Sequence, residues 1–150
     1  YLATFRAICK KYPGRTPESI LADLVERIPG EEGKWFAAAK DAKLYDVALD
    51  LARKSPVDHR TLLRAVDDFA ESQSGFALNC GLIALHWICD GRAYEASIGE
   101  VRAIVDGVIK ASKISGCQDA AMDTVRKTLA AFPEESLVRG VLANVLKVSV

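Results

Sequence analysis

The segment from Phe76 to Cys89, FALNCGLIALHWIC, constrains the fold more than any other, because its apolar side chains point in every direction around a helix. A helix that is apolar all round must be surrounded by other elements. Fourteen residues rise about 21 Å at ~1.5 Å each, short of the ~30 Å hydrocarbon layer of a membrane. The segment is therefore expected to be a buried core helix, with the remaining helices packed around it.

The rest of the chain supplies amphipathic partners. Leu2, Phe5, Ile8, Cys9 and Tyr12 run at helical spacing until Pro13 and Gly14 break the pattern. Thr16 offers an N-cap and Pro17 suits the first helical position, where its missing N–H costs nothing; Ile20, Leu21, Leu24, Val25 and Ile28 then make one stripe. A third helix is expected from Glu31 and Glu32, whose carboxylates suit the positive end of a helix dipole, burying Trp35, Phe36 and Ala39 and ending near Lys43. Tyr45 to Lys54 form a fourth, with Ala48, Leu51 and Ala52 inward and Asp50 placed to pair with Lys54.

After Pro56, Asp58 can cap a fifth helix with Leu62, Leu63, Val66, Phe69 and Ala70 on one face and Arg60, Arg64, Asp67, Asp68 and Glu71 on the other. Ser74 and Gly75 lead into the apolar helix, which Asp90 and Gly91 close. Ser97 and Glu100 have capping-box spacing; Ile98, Val101, Ile104, Val105, Val108 and Ile109 carry a long seventh helix to Ser115, with Gly116 at its C-terminus. An eighth puts Met122, Val125, Leu129 and Phe132 inward, and after Pro133 a ninth is built on Leu137, Val138, Val141, Leu142, Val145 and Leu146.

No stretch alternates with period two for long enough to predict a half-buried strand. The expected fold is all-α: about nine antiparallel helices in hairpins, as an α-solenoid or a right-angled helical array. At 150 residues the chain reads as a single domain, 1–150, able to bury roughly two-thirds of the surface of its unfolded form. Because it opens on Tyr1 with a helical pattern already running, it also reads as a piece of a longer protein.

Hairpins from Glu31 to Lys54, Asp58 to Asp90 and Ser97 to Phe132 give a periodic plan in the size range of helical-pair repeats. Tyr45, Ala48 and Ala52 before Pro56, and Ala121, Val125 and Thr128 before Pro133, resemble the second helix of a degenerate tetratricopeptide repeat, although no unit carries the full Trp-Leu-Gly-Tyr first helix. That resemblance implies a non-catalytic helical scaffold. Separately, Gly30 to Ala52 resembles segments of uncharacterised bacterial proteins, which implies a bacterial origin and brings no activity.

Twenty Lys and Arg cancel twenty Asp and Glu, so net charge selects no partner. Cys9, Cys80, Cys89 and Cys117 form no CxxC and read as small core residues of a reducing, cytoplasmic protein. There is no signal-peptide pattern and no run of eighteen apolar residues, so no membrane is expected.

Chemistry-bearing motifs are few. Gly30-Glu-Glu-Gly33-Lys34 has two residues between its glycines where a phosphate loop needs four, and Trp35 where it needs Ser or Thr; it reads as a helix start. The apolar helix carries one polar line, Asn79, His86 and Asp90, at offsets of seven and four. Two readings stand: a face satisfied by water or a neighbouring helix, or the floor of a ligand-binding groove. Arg6, Lys10 and Lys11, with Arg15, form a basic group before the first acid at Glu18, read as a solvated face or as a contact for nucleic acid or acidic protein. His59 is expected to be exposed in the first turn of the fifth helix. No metal-ligand spacing, nucleophile elbow or activated cysteine appears, so no cofactor and no enzymatic activity are expected. The acids beside Arg60 and Arg64 read as intrahelical pairs. The leading expectation is binding of a protein partner or of an upstream domain of the same chain; the alternative is a nucleic-acid-associated module using the basic first helix.

Overall fold

The computed structural model describes residues 1–91 and 96–131. Among these it is all-α: α1 (Leu2–Lys11), α2 (Pro17–Glu26), a 3-10 turn (Glu32–Trp35), α3 (Phe36–Asp41), α4 (Tyr45–Lys54), α5 (His59–Phe69), α6 (Ser74–Cys89), α7 (Ile98–Ser115) and α8 (Gln118–Ala130). The ninth helix expected on Leu137 to Leu146 lies outside the described residues, as does Phe132. No described helix is long and apolar enough to cross a membrane. The chain divides into two compact units, Tyr1–Val57 and Asp58–Val150.

In the first unit, local signals set the helix boundaries. Thr16 Oγ1 accepts from the Ser19 N–H at 3.2 Å, and Pro17 opens α2, which buries Ile20 and Leu21. The expected start of the third helix differs: Glu32 to Trp35 wind as a 3-10 turn before α3 begins. The tighter winding brings Gly33 against the end of α4, where its N–H donates to Ser55 Oγ at 2.6 Å. A Cβ at Gly33 would stand 2.6 Å from the Pro56 carbonyl oxygen, so only glycine permits this approach. Glu32 Oε1 accepts from the Gly30 N–H at 3.2 Å. Hydrogen bonds from its own and the Gly30 backbone N–H hold the Glu32 carboxyl below its usual range. On α4, Asp50 meets Arg53 at 3.5 Å instead of Lys54, an i,i+3 contact that the same helix surface allows.

In the second unit, contacts between side chains fix the direction of each helix. His59 at the start of α5 meets Glu100 at the start of α7, so these two run parallel. Ser74 at the start of α6 is 2.8 Å from Ser115 at the end of α7, and Cys89 at the end of α6 is 3.4 Å from the Thr128 carbonyl near the end of α8. Successive helices therefore alternate in direction. α6 packs on α5, α7 and α8, while α5 lies beside α7.

The core of this unit is the apolar helix. Ten of the sixteen residues of α6 are buried, which decides that it is enclosed on most of its circumference. Two glycines set how closely its neighbours approach. A Cβ at Gly81 would overlap Val108 of α7, and one at Gly107 would overlap Val66 of α5. Val66, Val101, Ile104, Val105 and Val108 are fully buried around it. Ile98, expected inward, is 45% exposed: it stands in the first turn of α7, ahead of the buried run that starts at Val101. Ser97 and Glu100 form the expected capping box, and Gly116 closes α7 at φ +73°.

Candidate functional site

Only Ser74, Gly75, Asn79, Leu82, His86 and Cys89 of α6 escape full burial. From Gly75 to Cys89 they recur every three or four residues, so they form one line along the helix, its least buried side, which ends where Cys89 meets Thr128 of α8. The predicted polar residues all stand on or at the end of this line: Asn79 half-buried, His86 exposed and Asp90 exposed just past the last turn. Asn79 Nδ2 donates to the Gly75 carbonyl at 2.8 Å, back-bonding within the helix. The His86 ring lies edge-on to Trp87, centroids 4.8 Å apart. Cys89 sits at the margin; burial, followed by the charge of Asp90, pushes its thiol up in pKa. The line is thus a narrow polar strip of Asn79, His86 and Asp90 on an apolar body, beside a half-buried Leu82.

The second cluster is one that the sequence placed wrongly. His59 is buried, 5% exposed, and not solvent-facing. Its Nε2 lies 3.0 Å from Glu100 Oε2, which also accepts from Arg60 Nε–H at 2.9 Å; His59 Nδ1 lies 3.8 Å from Asp58 Oδ1. Glu100 Oε1 accepts from the Ser97 N–H at 3.1 Å, and the Glu100 N–H returns a bond to Ser97 Oγ at 3.1 Å. One carboxylate therefore caps α7 and ties it to α5. The Ser97 backbone hydrogen bond, with those from His59 and Arg60, holds the Glu100 carboxyl down to about 2. A sequence signal for this existed: His59 stands three residues before Leu62 and seven before Val66, on the buried face. Its carboxylate partner, 41 residues away, had no such signal.

The intrahelical pairing expected on the outer face of α5 is also replaced by ties between helices. Arg60 reaches Glu100, and Glu71 lies 3.4 Å from Lys110, both on α7. Parallel α5 and α7 put these residues level with one another, which brings the partners within reach.

In the first unit, the basic group is partly neutralised. Arg6 makes a two-point ion pair with Asp41, at 2.6 and 3.1 Å, and hydrogen bonding to Arg6 holds the Asp41 carboxyl below its usual range. Arg15 meets Asp23 at 2.6 Å. Lys10 and Lys11 remain exposed at the end of α1, where they complement the helix dipole, with Lys11 over the Tyr12 ring at 5.6 Å. In Gly30 to Lys34 the Gly30 and Gly33 N–H groups donate to Glu32 and Ser55. Among the described residues no group of three or more His, Cys, Asp or Glu is placed to hold a metal ion.

Comparison with protein-family models, curated proteins and solved structures finds no match to this chain.

Proposed function

We propose that the chain is a non-catalytic helical-repeat scaffold, acting in the cytoplasm, that binds a protein partner or another part of its own chain along the line of α6 on which Asn79, Leu82 and His86 stand. The observation that carries this reading is the stacking of like helix beside like helix. Hairpin α5–α6 lies against hairpin α7–α8 with first helices parallel and second helices parallel. Stacked helical pairs of this kind, as in tetratricopeptide arrays, bury a continuous core and leave long faces for partners. On α6 that face carries Asn79 and exposed His86 beside Leu82, with Asp90 just past the last turn, and His59 and Glu100 brace α5 to α7.

The test places a photo-cross-linking amino acid at position 86 of the full-length protein in its native cells, with a control at exposed Asp67. A discrete protein adduct, or an internal cross-link, from position 86 alone is expected. It should disappear with Asn79→Ala while Tm moves by less than about 2 °C. Equal adducts from both positions, none from either, or a nucleic-acid adduct would contradict the proposal.

A further inference from the structure

We draw no further inference here: the strongest candidate, the open cavity of about 530 Å³ at the turn between α7 and α8 beside Lys113 and Cys117, rests on a helix N-terminus and a lone cysteine with no second observation that points to a ligand.

Discussion

α1 and α6 both begin as apolar patterns in the sequence, yet they are held in different ways. α1 has ten residues and buries one, Phe5; α6 has sixteen and buries ten. The first is fastened from outside, by the Arg6–Asp41 pair and by the edge-on contact of Tyr1 with Trp35 at 4.7 Å. The second is fastened by enclosure between close-packed neighbours. Exposed ion pairs contribute little, whereas buried apolar area contributes most of the favourable free energy, so the second unit should dominate resistance to unfolding.

The contrast breaks first at the largest side chains. Leu85→Ala, at a site 1% exposed on α6, should cost about 2–5 kcal/mol in urea unfolding. Ile8→Ala, half-buried on α1, should cost about 1 kcal/mol or less. Equal losses would erase the distinction between the helices.

Backbone approach gives the next effect. Gly81→Ala forces a methyl group into stiff Val108 and should destabilise by about 1–3 kcal/mol despite the better helix propensity of alanine. Gly75→Ala meets open space and should be neutral or stabilising by up to about 1 kcal/mol. A stabilising Gly81→Ala would show that α6 and α7 are less closely packed than described.

The brace between α5 and α7 sharpens the same point with polar groups. His59→Ala removes a buried partner of Glu100 and should cost about 1–2 kcal/mol. The Glu100 carboxyl, held at about 2 against an ordinary 4.5, contributes stability that is fully present above about pH 4.5 and lost as pH falls through about 2. Glu100→Gln should flatten the acid limb of a stability–pH curve. An unchanged limb would remove the carboxylate from the brace.

The smallest effect belongs to the first unit. Lys43 follows α3 at φ +61°, in the left-handed region, with the Leu44 N–H bonded back to the Ala39 carbonyl at 2.9 Å. Lys43→Gly should relieve this strain and raise stability by about 0.5–1 kcal/mol, read as a small rise in denaturant midpoint.

Much of this architecture was legible because it is local. Thr16 and Pro17, Asp58, the Ser97–Glu100 box and Gly116 each act within a few residues, and each stands where its spacing placed it. The enclosure of α6 was also legible, since an apolar circumference admits few alternatives to burial. Asn79, His86 and Asp90 share one side of the helix, as their offsets of seven and four require. Long-range polar ties were not legible. Arg6 was placed outward correctly, but Asp41, which neutralises it, lies 35 residues on. His59 departs from the solvated position expected of a polar residue at a helix start, because its register puts it on the apolar face. The 3-10 turn at Glu32 has no local signal for a related reason: the partner that its Gly33 N–H meets, Ser55, lies 22 residues on at the end of α4.

Residue-resolved amide hydrogen exchange on the full chain tests the enclosure of α6 most directly. The amides from Ala77 to Ile88 should exchange only through global unfolding, while those of α1 exchange faster through local opening. Exchange from α6 as fast as from α1 would contradict a core built on that helix and the scaffold proposed around it.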